Sequence, residues 1–152
     1  MKKNERFDNK ALSKVIKKQI RFCLRKRNFS SQIFVSKWIK KNIVLDYINY
    51  YCHRMFVKNK VLRIMNHSNT ARVDFTNGSH ITVLPATDTS RASRACSVVI
   101  DSEISKELID SVIMPRIRPP IYMPSPFMVA VFKLKPYYIR SFKKIKYIVD
   151  IK

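Results

Sequence analysis

An apolar run that ends in an acidic residue is the first feature of this sequence that could carry chemistry. Residues 97 to 100 read Ser-Val-Val-Ile, and Asp101 follows at once. A buried strand of this kind projects its last carboxylate from the carboxyl end of a sheet, where the carboxylate can meet Mg²⁺ and phosphates. This is the form of a Walker B strand. The alternative is that Asp101 caps the helix that follows the strand.

A complete ATP site also needs a phosphate-binding loop, and the glycine content decides whether these residues contain one. The pattern G-x-x-x-x-G-K-[ST] requires two glycines. The chain has a single glycine, Gly78, which follows Asn77 in a predicted turn. We therefore expect no complete ATP site from this chain alone.

The cysteines and histidines do not form a recognisable site. Cys23, Cys52 and Cys96 are odd in number and far apart, and they lack the CxxC spacing of a zinc site. We interpret them as small buried hydrophobes in a reducing cytosol. The three histidines show no ligand spacing, and no Ser-His-Asp or Cys-His arrangement indicates a hydrolase.

Two helical patterns occupy the N-terminal part of the chain. Asn9 is placed as the N-cap of a helix over residues 10 to 26, which has an apolar face and a basic face. The apolar face carries Leu12, Val15, Ile16, Ile20 and Cys23, and the basic face carries Lys14, Lys17, Lys18, Arg21 and Arg25. After a polar break at residues 28 to 31, the pattern predicts a second helix that runs to about Phe56.

Beyond Phe56 the apolar residues alternate, as in strands. Residues 61 to 65 are strand-like, and residues 71 to 84 predict a β-hairpin around Asn77-Gly78, a pair that tolerates the positive φ angles of a tight turn. Residues 97 to 101 supply a further strand.

The C-terminal part has a helix, a proline-rich stretch and a basic tail. Residues 105 to 114 predict a helix that Pro115 stops, and four more prolines up to Pro126 make the next stretch extended. Residues 127 to 134 predict another strand. Residues 136 to 152 mix lysine with tyrosine and isoleucine and have no clear period.

The net charge of +21 is unevenly placed along the chain. Residues 1 to 63 contain 18 Lys and Arg but three acidic residues, a net +15, which leaves +6 for the rest. Such an excess favours a polyanionic partner, because each neutralised phosphate releases counterions. Nucleic acid is the first candidate and an anionic membrane the second. The alternative is that an AT-rich genome enriches lysine without any partner.

No apolar run reaches the roughly 20 residues that cross a bilayer, and no signal-peptide core follows the N-terminus. We expect a soluble protein of the cytoplasm that is not secreted.

The order of the central motifs resembles the large terminase subunit, the ATPase that packages phage DNA. Residues 75 to 81 read FTNGSHI, Arg91 lies in the sequence SRA, and Asp101 follows ten residues later. In that family an F-x-N-G-S-x-I hairpin precedes an A-R-G turn, the Walker B strand ends in D-E, and a helix similar to KELIDSVI at 106 to 113 leads into a proline-rich stretch. The resemblance covers roughly residues 70 to 126, and more faintly from residue 30.

The resemblance implies an α/β fold with a partial P-loop-NTPase-like sheet, and it implies roles for five residues. Asp101 would hold the Mg²⁺ of bound ATP, Arg91 would lie near the nucleotide or a neighbouring subunit, and Asn77 and Gly78 would be structural. Ser102 would line the nucleotide site, where the family has the glutamate that polarises the attacking water.

Glu103 is the nearest substitute for that catalytic glutamate. Because side chains alternate along a strand, we expect a carboxylate one position later to point away from the site unless the strand end bulges. Ala92 also replaces the usual glycine of the A-R-G turn.

The resemblance thus implies one incomplete ATPase-like domain over residues 1 to 152. It comprises a basic helix at 1 to 27, a terminase-like segment at 28 to 135 and a basic tail at 136 to 152. The first functional hypothesis is a fragment or degenerate form of the DNA-packaging motor that is not catalytic alone. Its expected partners are double-stranded DNA, other terminase chains, and the portal or small terminase subunit.

Two other hypotheses remain open. In one, the chain is a small basic nucleic-acid-binding protein without enzymatic activity, and the terminase-like segment is an inherited scaffold. In the other, the helix at 10 to 26 attaches to a membrane surface, although it has few of the aromatic anchors of such helices.

Overall fold

The computed structural model describes residues 7–68, 70–86, 95–113 and 146–151. These residues form an α/β fold with a six-stranded mixed sheet, which confirms the predicted α/β class. No helix among them is both long and apolar enough to span a bilayer.

Two long helices cover one face of the sheet. Helix α1 is Lys10–Arg25, and the side chain of Asn9 caps it by accepting a hydrogen bond from the Leu12 N–H at 3.1 Å. Helix α2 is Trp38–Arg54. The predicted apolar face of α1 is buried, with Val15 partly covered, so α1 packs through that face as expected.

The strands follow in the sheet order β2-β3-β4-β1-β5-β6. Strands β1, β4, β5 and β6 run parallel, whereas β3 is antiparallel to β2 and β4. Their bounds are Ser30–Val35 for β1, Val61–Asn66 for β2, Ala71–Phe75 for β3, His80–Pro85 for β4, Ser97–Asp101 for β5 and Lys146–Val149 for β6.

Alternate residues of the inner strands face two separate apolar clusters. In β1, Ile33 and Val35 pack with α1 and α2. Phe34 packs on the opposite face with Ile104 and Ile113, which belong to the chain after β5. That chain forms a short helix α3, Lys106–Leu108, followed by one π-helical turn, Ile109–Ile113, so the predicted helix at this place is confirmed.

The second predicted helix is wrong in its first part, because residues 30 to 35 form β1. Every residue of this strand is buried, as expected for an inner parallel strand covered on both faces. A short apolar run of this kind does not distinguish a buried strand from a buried helix by its period. The helix begins only at Trp38, after Ser36 and Lys37 break the apolar run.

The β-hairpin at 71 to 84 and the strand at 97 to 101 are confirmed, with a different turn from the one expected. Phe75 N–H donates to the Ser79 carbonyl at 2.8 Å, and Gly78 N–H donates to the Phe75 carbonyl at 3.2 Å. Gly78 has a φ of 84°, but Asn77 does not have a positive φ. The loop is therefore a three-residue turn with glycine in the left-handed position.

The basic tail contains an element that the sequence did not predict. Strand β6 pairs in parallel with β5 and forms one edge of the sheet. The predictions for Arg91, the proline-rich stretch and a strand at 127 to 134 lie outside the described residues.

Candidate functional site at the carboxyl ends of the parallel strands

The candidate site lies where β1 and β5 end side by side. Phe34 is level with Ile100, so Ser36 and Asp101 meet just beyond the strands. The chain that leaves β1 enters α2 on one face of the sheet, whereas the chain that leaves β5 packs Ile104 on the other face. Ligands in open α/β sheets bind in the crevice at such a switch point.

Asp101 is fully buried, and hydrogen bonds surround its carboxylate. Oδ2 accepts from the Ser36 N–H at 3.0 Å, from the Ser36 hydroxyl at 2.6 Å and from Lys40 Nζ at 2.9 Å. Oδ1 accepts from the Glu103 N–H at 3.3 Å. The strand-end carboxylate is thus neutralised by a lysine from the first turn of α2.

Glu103 shares the same lysine, which corrects the expectation that it points away from the site. Its Oε2 accepts from Lys40 Nζ at 2.9 Å. The chain turns immediately after β5, since the Ile104 N–H donates to the Asp101 carbonyl at 3.0 Å. This turn ends the strand alternation and brings Glu103 back beside Asp101.

Ser102 points elsewhere, towards the last strand. Its N–H donates to the Val149 carbonyl at 2.9 Å, and its hydroxyl lies 3.5 Å from Asp150 Oδ1. The side chain of Glu103, and not that of Ser102, therefore lies beside the Asp101 carboxylate. The roles of Asp101, Ser102 and Glu103 in binding or catalysis stay predictions.

The contacts among Asp101, Lys40 and Glu103 favour the charged form of each side chain. Burial would raise the pKa of Asp101, but hydrogen bonds from Ser36 and Lys40 outweigh burial and lower that pKa. Burial likewise would lower the pKa of Lys40, whereas hydrogen bonds to Glu103 and Asp101 raise it. The hydrogen bond from Lys40 also lowers the pKa of Glu103. At neutral pH the site is one ammonium between two carboxylates.

The two oxygens of the Asp101 carboxylate are engaged unequally. Oδ2 accepts three hydrogen bonds, one of them from the ammonium of Lys40, whereas Oδ1 accepts one. Nowhere in the described ranges do three His, Cys, Asp or Glu side chains come together as metal ligands.

Sequence reasoning missed Ser36 and Lys40, since both fell inside the predicted second helix. A signal was present: the apolar run at 33 to 35 is followed by polar residues, as the run at 98 to 100 is. Two such strand ends would have placed Ser36 and Asp101 at one edge of a parallel sheet.

The predicted nucleic-acid residues lie on the outer side of α1. Lys14, Lys18, Arg21 and Arg25 are exposed. Lys17 is half-buried, with its ammonium 4.8 Å from the centre of the Tyr51 ring.

Asn77 and Ser79 are structural, because they close the C-terminal end of α1. Asn77 Nδ2 donates to the Cys23 carbonyl at 2.6 Å, and the Ser79 hydroxyl donates to the Lys26 carbonyl at 2.6 Å. The hairpin residues thus have a structural role in this chain that is independent of any nucleotide.

Compared with known proteins, the chain matches no protein-family model, no curated protein and no solved structure.

Proposed function

We propose that this chain is a partial or degenerate form of a phage DNA-packaging ATPase, the terminase large subunit, and that it does not hydrolyse ATP by itself. The observation that carries the proposal is Asp101, a buried carboxylate at the carboxyl end of a parallel strand and at a switch point of the sheet. ATPases of this type place the acidic residue that holds Mg²⁺ at such a position.

Two features support the absence of catalysis. Lys40 forms an ion pair with Asp101 at 2.9 Å, so the carboxylate already has a cation of the chain beside it. The single glycine lies in the hairpin turn, so these 152 residues contain no P-loop sequence. In the complete family protein, hydrolysis of ATP with Mg²⁺ as cofactor drives the translocation of double-stranded DNA, with the portal and small subunit as partners.

An ATPase assay tests this proposal. We expect no release of phosphate from ATP and Mg²⁺ above the background without protein, with or without double-stranded DNA. The Asp101→Ala variant is the matched control for contamination. Turnover by the wild-type chain that Asp101→Ala abolishes would show a working site and overturn the proposal.

A second candidate function is nucleic-acid binding without catalysis, and the exposed basic side of α1 favours it. The apolar side of the same helix is buried against α2 and the sheet, so that side is not available to a lipid surface. Salt-dependent binding of DNA that ATP leaves unchanged is the expected result. Failure to bind DNA at low salt would reject this candidate.

A further inference from the structure

A groove runs along α1 where this helix faces Tyr51 of α2. Its volume is about 470 Å³, and four cationic side chains line it together with Ser13 and Tyr51. The four are Lys10, Lys14, Lys17 and Arg21. Because they recur at intervals of four, three and four residues, they form a row about 16 Å long on one side of the helix.

The positive charge of this row is not neutralised within the described part of the chain. None of the four cations is in an ion pair with a described residue, in contrast to Lys40, Arg63 and Arg72. Asp8 is the acidic residue of the lining. Lys17 lies over the Tyr51 ring, a contact that positions an ammonium without cancelling its charge.

Ser13 provides an independent indication of a ligand. It lies in the lining of the groove, is 6% exposed, and its hydroxyl has no hydrogen-bond partner among the described residues. A buried hydroxyl without a partner costs stability, so folded proteins normally satisfy it. The hydroxyl oxygen is covered by neighbouring atoms, so a ligand with acceptor oxygens that binds the four cations would reach it after a small shift of the side chains around it.

We propose that this groove binds the phosphodiester backbone of nucleic acid. The row of cations neutralises successive phosphates, and Ser13 donates a hydrogen bond to one phosphate oxygen once the side chains that cover its hydroxyl have shifted. The inference rests on the nucleic-acid-binding function above and narrows it, because Lys18 and Arg25 do not line the groove. Contacts to phosphates carry no sequence information, so little sequence preference is expected.

The first test compares two pairs of cations that differ in position but not in charge. Lys14 and Arg21 are exposed residues of the groove, whereas Lys58 and Lys60 are exposed residues of a short 3-10 turn outside it. Binding of a labelled DNA duplex to the Lys14→Gln/Arg21→Gln and Lys58→Gln/Lys60→Gln variants is measured by fluorescence anisotropy over a series of salt concentrations. Circular dichroism verifies that each variant is folded.

We expect the groove variant to bind at least tenfold more weakly and its logarithmic salt slope to fall by about 1.8, since each lost phosphate contact removes about 0.9. The control variant should remain close to wild type. Equal weakening of both variants would overturn the groove while leaving nucleic-acid binding in place. No binding by the wild-type chain at low salt would reject both.

The second test uses Ser13→Ala, which removes the hydroxyl without changing the charge. We expect several-fold weaker binding, an unchanged salt slope and no loss of thermal stability. Wild-type affinity in this variant would show a diffuse polycation rather than a built site. A parallel arm measures sedimentation with vesicles of phosphatidylserine and phosphatidylcholine. Vesicle binding that is tighter than duplex binding and is lost in the groove variant would assign the groove to a membrane and overturn the proposal.

Discussion

At the residue scale, the ammonium of Lys40 compensates the negative charge of the Asp101 carboxylate, which is buried away from water. Asp101 is fully buried, and the side chain of Lys40 is 11% exposed. The attraction of such a pair largely repays the loss of hydration of both groups. Removal of one partner is costly, because the other charge stays behind in an apolar surrounding.

Lys40→Met should therefore lower the free energy of unfolding by roughly 3 to 5 kcal/mol at neutral pH. The cause is the buried Asp101 carboxylate, which keeps its bonds from Ser36 but loses its cation. Urea denaturation measures the change. Lys37→Met, at an exposed position in the same segment, is the control and should change stability by less than about 0.5 kcal/mol. Equal stability of both variants would contradict the role given to Lys40.

The pair of Asp101 and Lys40 predicts that the free energy of unfolding depends on pH. Folding lowers the pKa of Asp101, so the Asp101 carboxylate adds to the free energy of unfolding above the ordinary carboxyl pKa of about 4. This contribution is lost as pH falls through the lowered pKa. Folding raises the pKa of Lys40, so the Lys40 ammonium adds to the free energy of unfolding up to the ordinary lysine pKa of about 10.4. This contribution is lost as pH rises through the raised pKa.

The stability difference between wild type and Asp101→Asn should consequently be constant from about pH 5 to 9 and shrink below about pH 4. Urea denaturation across this range measures it. A difference that grows on acidification would have the wrong sign for this pair.

At the element scale, the hairpin turn and α1 stabilise each other. The last carbonyls of a helix lack partners within it, and Asn77 and Ser79 supply donors to them. Asn77 Oδ1 also accepts from the Ser79 N–H at 3.0 Å, which fixes the turn. Gly78 lies against the Asn28 side chain, where a Cβ atom would collide.

Asn77→Ala should lower the free energy of unfolding by roughly 1 to 3 kcal/mol, because it leaves the Cys23 carbonyl without its donor. Gly78→Ala should be destabilising as well, through its positive φ and the collision with Asn28. Thermal unfolding followed by circular dichroism compares both with Thr76→Ala, an exposed neighbour in the turn. A neutral Asn77→Ala would mean that the turn does not cap the helix.

Local patterns were sufficient for elements that carry their own signals. The N-cap and apolar face of α1, the hairpin around Gly78 and the acid at the end of β5 were all predictable. Strand β1 was not, because its consecutive buried residues have no period. Strand β6 was not either, since its place depends on pairing with β5. For the same reason only part of the site was predictable. Asp101 ends a strand that the sequence indicates, whereas Ser36 and Lys40 follow β1, which the sequence does not indicate.

At the scale of the whole molecule, the net charge of +21 dominates. Repulsion among like charges opposes the compact state, and it is reduced by salt. Since the bonds of Asp101 lie in the interior, salt should screen them much less than the surface charges.

The melting temperature should accordingly rise when sodium chloride is increased from about 10 to about 150 mM, as the screening length falls from about 30 to about 8 Å. Differential scanning fluorimetry measures this. The Lys58→Gln/Lys60→Gln variant should show a smaller rise, because it has two fewer cations. A melting temperature that falls with salt would indicate that attractive surface pairs, not repulsion, dominate.

The central position of β1 also bears on how the chain reaches its fold. Ser30 pairs with His80, and Ser31 pairs with Ser97, so both neighbours of this strand come from far later in the chain. At a synthesis rate of about 5 to 20 residues per second, β1 waits roughly 3 to 10 seconds on the ribosome before β4 exists. During that interval α1 and α2 are the elements that can cover Ile33 and Val35, whereas Phe34 on the opposite face lacks Ile100, Ile104 and Ile113. The two helices that become the outer layer of the finished sheet therefore protect one face of the nascent strand, and the other face stays uncovered until the chain around β5 is made.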